Sequence, residues 1–333
     1  MNKDRYKIKM FFLITLLIFC IMGGIFLGRF YISPTTFFSI ILEKIIGIEN
    51  NSIESSVIFQ LRIPRIIMNL LIGAGLTVAG TALQGVFQNP LVSPDVISVS
   101  SGAAFGAALG ILLFGMNNYV IMLAMTFGIL SVGLTYILSK VRGESSTLSL
   151  VLSGMVMTSL FGSLISLIKY TADPYDKLPA ITYWLMGSFS NISYSEIKLA
   201  SIPILSGIFI LYLLRWRINI LSLGDEEVRS LGLNPSNTRT LIIILVTLIT
   251  ATCVTVTGII GWIGLLIPHI CRMFIGVDNT KLIPSSCITG AIFMLIIDGI
   301  ARTATASEIP IGILTSLVGA PFFIIIFKRY KSW

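Results

Sequence analysis

The spacing of charges along this chain constrains its fold more than any other feature. Six stretches contain no Lys, Arg, Asp or Glu: residues 10–28, 66–94, 96–139, 145–168, 240–271 and 309–327. A helix needs about 20 mainly apolar residues to cross the hydrocarbon core of a bilayer, so each stretch meets or approaches a crossing. Two shorter ones, 199–214 and 282–297, are flanked by charged side chains able to snorkel toward water. Stretch 96–139 exceeds one helix and turns at Gly115-Met116-Asn117-Asn118, and stretch 240–271 breaks near Thr257-Gly258. The pattern predicts ten helices, near 10–31, 62–83, 95–114, 118–139, 147–169, 195–215, 237–256, 259–275, 282–303 and 309–328. Lipid offers the backbone no hydrogen-bond partner, which leaves a helical bundle as the architecture. The expected class is therefore an all-α integral membrane protein of about ten transmembrane helices, one domain over residues 1–333. Only 11% of residues are charged, against roughly 25% in soluble domains.

An even number of crossings puts both termini on one side. With the N-terminus inside, fifteen of the 23 Lys and Arg residues fall on the inner face, which favours cytoplasmic termini. The net charge of +8 is then a consequence of topology and requires no nucleic-acid partner. Residues 1–28 start basic and run apolar, but no small-x-small cleavage site follows, so they read as the first span. Cys20, Cys253, Cys271 and Cys287 lie in or near apolar stretches without CxxC spacing and read as small hydrophobes. Gly102, Gly106 and Gly110 share one helix face, a small-residue surface suited to close packing within one subunit or between subunits.

Catalytic constellations are lacking. There is no GxxxxGK[ST] loop to cradle ATP. His269 is the only histidine, which excludes a multi-histidine metal site and suits a structural or interfacial role. Asp298 is the one carboxylate well inside a span, and it lies one turn before Arg302, close enough to be neutralised locally. No cofactor is implied. A lone self-paired acid gives weak support to an ion-gradient-driven secondary transporter, and weaker support to a lipid-modifying enzyme.

Two polar regions stand out. On the outer side Arg62 and Arg65 are three residues apart around Pro64, and Arg302 ends the ninth span. Their guanidinium forks suit either snorkelling anchorage or docking of a carboxylate-bearing partner. On the inner side, within the loop at 216–236, the run from Ser222 to Asn234 reads as a short helix. Ser222 or Asp225 can cap it, Asp225, Glu226 and Glu227 complement its dipole, and Gly232 supplies a left-handed stop. An acidic helix is poorly suited to an anionic leaflet, which favours a protein partner, with Val228 and Leu231 filling that partner's groove.

Seven blocks run in order through nearly the whole chain: LRIPR (61–65), GAGLTVAGTALQGVFQNPLVSPD (73–95), SSGAAFG (100–106), YWLMGS (183–188), LSLGDEEVRSLGLN (221–234), GIIGWIGLLIPHICR (258–272) and EIPIGILTSLVGAPFF (308–323). Through them the sequence closely resembles the permease subunits of ABC importers for iron–siderophore, haem and cobalamin. The resemblance implies a cobalamin-permease-like fold in a cell-membrane assembly. It implies a homodimer or pseudo-symmetric dimer of permeases, two cytoplasmic ATPase subunits and an extracytoplasmic substrate-binding protein. It implies that Arg62, Arg65 and Arg302 pair with acids on that binding protein. Ser222, Gly224, Asp225, Glu226, Val228, Arg229, Leu231 and Gly232 then belong to a coupling helix seated on the ATPase. Asn89, Leu91 and, at the start of the fifth span, Thr147 match a cytoplasmic gate. Ferric siderophore is the default substrate, with haem, cobalamin or an oxyanion as alternatives.

Overall fold

A computed structural model describes residues 3–47, 52–141, 144–145 and 147–330. Within them lie ten helices that match the ten expected crossings. They are α1 (Lys3–Phe26), α4 (Ile63–Val86), α5 (Val99–Phe114), α6 (Asn118–Ser139), α7 (Thr147–Thr171), α9 (Tyr194–Leu221), α11 (Pro235–Thr257), α12 (Ile263–Ile275), α13 (Asn279–Thr303) and α14 (Ile311–Tyr330). Seven are long and apolar enough to cross a bilayer, and α5, α12 and α14 are shorter apolar helices. Four short helices join them: α2 (Pro34–Ile46), α3 (Ile53–Ser56), α8 (Lys177–Leu185) and α10 (Asp225–Ser230).

The helix limits follow local chemistry. Ser33, Asn117, Asn234 and Asp278 each accept a backbone N–H at the start of a helix. Ser193 and Glu196 form a reciprocal capping box for α9. Gly115 and Gly258, at φ +73 in both cases, stop α5 and α11 where the sequence signals breaks. Three features lie outside the sequence reading. α2 falls in a segment that reads as loop, because its 13 residues are too few to register as a crossing. α3 continues through a π-helical turn, Val57–Arg62, into α4. α9 runs on to Leu221, so the inner loop expected from residue 216 starts at Ser222.

α4 is the axis of the bundle. Its most apolar membrane-length window is 89% buried, whereas that of α1 is 6% buried and faces outward. α13, α9, α11 and α12 surround α4, and α5 and α6 form a second tightly packed pair. Small residues set both contacts. A Cβ on Gly80 would lie 1.9 Å from the Gly264 carbonyl oxygen, and one on Gly73 would lie 2.3 Å from that of Gly290. Gly102 and Gly106 meet α6 in the same way, at Phe127 O (2.5 Å) and Leu123 O (2.2 Å). The glycine face of α5 is thus spent on packing inside the chain. The YWLMGS block also joins elements of the bundle. Gly187 O accepts from Ile311 N and Met186 O from Gly312 N, while Ser188 N donates to Thr257 O. These bonds stitch the end of α8 to the α11 terminus and the start of α14.

This packing predicts a sharp contrast between two alanine substitutions. Gly80→Ala drives a methyl group into backbone, so it is expected to destabilise the detergent-solubilised protein by about 1–3 kcal/mol. Gly133→Ala in α6 meets nothing within 4 Å and gains helix propensity, so it is expected to be neutral or slightly stabilising. Thermal unfolding of the two variants side by side checks this, and equal midpoints would contradict the packing.

Candidate functional site

The polar groups gather at the two ends of the bundle. At one end, the N-terminal turns of α4 carry Arg62 and Arg65, and the last turns of α13 carry Asp298 and Arg302. Asp298 is almost wholly buried and lies between two guanidinium groups. Arg65 Nε donates to its Oδ1 at 2.8 Å, and Arg302 Nε stands 3.2 Å from its Oδ2. Arg65 Nη1 also donates to both oxygens of Glu308, at 2.9 and 3.0 Å, from the loop joining α13 to α14. Arg62 donates to the carbonyls of Ile25 and Phe30, where α1 ends.

Snorkelling, one reading of these arginines, does not occur: Arg62, Arg65 and Arg302 are 4%, 8% and 8% exposed. Arg65 and Arg302 turn inward to the carboxylates of Asp298 and Glu308, and Arg62 turns to backbone carbonyls, in place of water. Three guanidinium groups against two carboxylates leave one positive charge in the cluster, beside a cavity of about 230 Å³ lined by Arg62, Arg65, Arg302 and Glu308. The Asp298–Arg302 pair is legible from its i, i+4 spacing. The link to Arg65 and the part of Glu308 are not, although Glu308 is the only acid after Asp298.

At the opposite end, α10 is held against its own chain. Asp225 accepts two bonds from Arg239 of α11, at 2.5 and 3.0 Å. Val228 is fully buried among residues of this chain, which corrects the expectation that it fills a partner's groove. In a helix of six residues the inward face takes one central apolar position, and Val228 occupies it. The outward apolar groups are Leu231 and, just before the helix, Leu223, both more than half exposed, together with exposed Glu226, Glu227 and Arg229. Neither Ser222 nor Asp225 caps the start: Ser222 Oγ donates back to Asn219 O, and Gly224, at φ +118, occupies the cap position. Gly232 does stop the helix at φ +78. Its N–H donates to Arg229 O, and that of Leu233 donates to Val228 O, the paired bonds of a Schellman motif.

The turn after α4 lies beside this segment. Asn89 Oδ1 accepts the Leu91 N–H at 2.9 Å, which shapes the turn locally. Asn89 and Leu91 are exposed, so they close nothing within the single chain. Thr147 is the first residue of α7, and its side chain lies outside the described residues. A cavity of about 390 Å³ opens here, lined by Gln84, Gln88, Asn89, His269, Arg272 and Asn279. Sequence reasoning misses Gln84, whose Nε2 donates to Val92 O and holds the turn against α4. It also misses Asn219, which bonds both Asp278 Oδ1 and Asn279 N, each at 2.8 Å, and so ties the end of α9 to the start of α13. Burial pushes the Asp278 carboxyl up, but hydrogen bonds from Thr280 and Asn219 outweigh it and hold the group below the ordinary Asp value.

A multi-pass membrane bundle with a charge cluster at one end, and an exposed, internally braced helix at the other, is the architecture of a transport permease. The chain belongs to the FecCD transport family, whose model matches residues 16–329. It is 39% identical over 332 residues to the molybdate import system permease protein MolB of Haemophilus influenzae, covering 99% of this chain and 98% of that protein. It is 43% identical over 284 residues to a probable iron chelatin transport system permease protein of Helicobacter pylori, covering 85% of this chain and 86% of that one. Among solved structures, an inward-facing conformation of a metal-chelate type ABC transporter superposes with a TM-score of 0.85 at 38% identity, over 96% of this chain and 98% of that one.

The charge cluster predicts unequal costs for removing its two acids. Asp298→Asn leaves the buried Arg302 guanidinium without a counter-charge and Arg65 with Glu308 alone, a loss expected to cost about 3–5 kcal/mol. Glu308 is 31% exposed on its side chain, so Glu308→Gln is expected to cost well under half as much. Unfolding midpoints in one detergent decide the order, and a reversed order would contradict it.

Proposed function

We propose that this chain is the membrane-spanning subunit of a binding-protein-dependent ABC importer, with its termini and α10 on the cytoplasmic side. The observation that carries the proposal is the family match across almost the full length, supported by the form of the segment at residues 222–234. Two copies would enclose a pathway, and the exposed Asn89 and Leu91 of each would meet across the two-fold axis as a cytoplasmic gate, with Thr147 beside them. A separate ATPase would receive Leu223 and Leu231, steered by Glu226, Glu227 and Arg229. Asp225 and Val228 would brace α10 from behind, so that a push on it reaches α11 and, through Asn219, α13. Such coupling is a two-state equilibrium biased by a ligand on another chain.

On the outer face, Arg62 has no carboxylate partner among the described residues, and Arg65 and Arg302 share theirs. The surplus positive charge favours an acidic binding-protein lobe at this end. Asp298 is held by two arginines at close range, an arrangement that opposes the proton or ion exchange a gradient-driven transporter requires. The relatives named for iron chelatin and molybdate point to a metal-bearing, anionic or chelated substrate. Uptake of radio-iron siderophore and of molybdate by the reconstituted system would separate these two substrate classes.

Two outcomes test the reading. The purified chain, having no phosphate-cradling loop, is expected to hydrolyse no ATP until an ATPase subunit is added, and turnover by the isolated chain would overturn the assignment. In the assembled system, Leu231→Asp and Gly232→Val are expected to abolish ATPase copurification or to uncouple hydrolysis from uptake. Leu231→Asp puts a charge into the docking contact, and Gly232→Val forces a β-branched residue to positive φ. Uptake and hydrolysis measured together in liposomes read both variants, and wild-type coupling in each would show the segment to be a surface turn.

A further inference from the structure

A groove of about 420 Å³ runs between α1 and α12 on the outward flank of the bundle. Ile8, Phe12 and Leu13 form one wall, and Ile270, Phe274 and Ile275 form the other. On each helix the second and third positions lie four and five residues after the first, so each wall is one side of a helix. Thr289 of α13 joins the lining, but its hydroxyl already donates to Ser285 O. Lys9 stands at one end, where its Nζ donates to the Phe274 carbonyl in the last turn of α12. That is a position where the negative end of a helix favours a cation. Arg5 lies one turn before Lys9 on the same face of α1, and Lys7 lies between them.

We propose that this groove holds the acyl chain of an anionic phospholipid whose phosphate rests against Lys9. The walls span about 8 Å along their helices at 1.5 Å per residue, roughly half of one leaflet's hydrocarbon depth. The groove therefore takes the part of a chain nearest the headgroup, and Lys9 sits where that headgroup comes. Its walls are apolar along their whole length, with the cation confined to one end, which is the polarity of a phospholipid. A second copy of this chain seated there about a two-fold axis would bring two basic clusters together, an unfavourable pairing. The lipid would hold α1, which otherwise packs chiefly on α13, against the flank of α12. This site is independent of the transport reading.

The test uses the full chain in phosphatidylcholine vesicles, with photoactivatable acyl-chain probes of phosphatidylglycerol or phosphatidylcholine. The phosphatidylglycerol probe is expected to label residues 8–13 and 270–275 about fivefold more strongly, the factor that one basic residue contributes at an anionic surface. Lys9→Gln is expected to bring the two probes to parity. Leu13→Trp, which fills the groove, is expected to abolish labelling there while labelling around exposed Leu213 on α9 persists. Equal labelling by both probes in the wild type would overturn the proposal and leave only annular lipid. Cross-links between α1 helices of two copies would overturn it in favour of a subunit contact. Should Leu13→Trp fail to fold, the wild-type ratio and its loss in Lys9→Gln decide the matter.

Discussion

The close approach of α4 to α12 and α13 is the contact on which the rest of the bundle depends. Lipid tails are as apolar as Leu, so helices in a bilayer gain little from hiding apolar side chains and associate largely through dispersion at short range. Gly73 and Gly290, like Gly80 and Gly264, bring backbone against backbone where any side chain would collide. With three helices fixed in this way, α9 and α11 complete a ring around α4, and the α5–α6 pair docks outside it. α1, which shares little of this packing, is the least buried of the long apolar helices.

That frame also explains the opposed chemistry of the two ends. At the end that holds the charge cluster, α4 and α13 emerge side by side, which brings Arg65 to Asp298 across 233 residues of sequence. The pairs there are buried, so their desolvation must be matched by good geometry. Arg65 achieves this by dividing its fork between Asp298 and Glu308. At the opposite end the connections are made chiefly by amides and hydroxyls. Gln84, Asn219 and the Asp278 cap tie loop to helix without concentrating charge, and the Asp225–Arg239 pair adds an ionic brace behind α10.

Much of this is legible in the chain. The ten crossings follow from where charges are missing. The stops at Gly115, Gly232 and Gly258 follow from glycine and turn chemistry, and the Asp298–Arg302 pair from helical periodicity. Where the reading fails, a local signal has a non-local answer. An acidic surface helix needs an apolar contact, which points Val228 at a partner, and the structure supplies that contact from its own core. Nothing near Arg62 and Arg65 in sequence is acidic, which leaves them as anchors or docking groups, yet Asp298 reaches Arg65 from another helix. α2 and α8 escape notice because helices of 13 and 9 residues leave no long apolar run.

The sequence by itself determined the solvent, the number of crossings and the family. Each of these rests on composition within a window of about 20 residues, or on motifs contiguous in the chain. Only the tertiary structure decided which glycines touch backbone, which arginines hold carboxylates, which face of α10 is free and where a groove remains open to lipid. Those are contacts between residues tens to hundreds of positions apart. Their partners are chosen by which helices happen to be neighbours, and in a bilayer, where every span is apolar on all sides, hydrophobic periodicity carries little information about that choice.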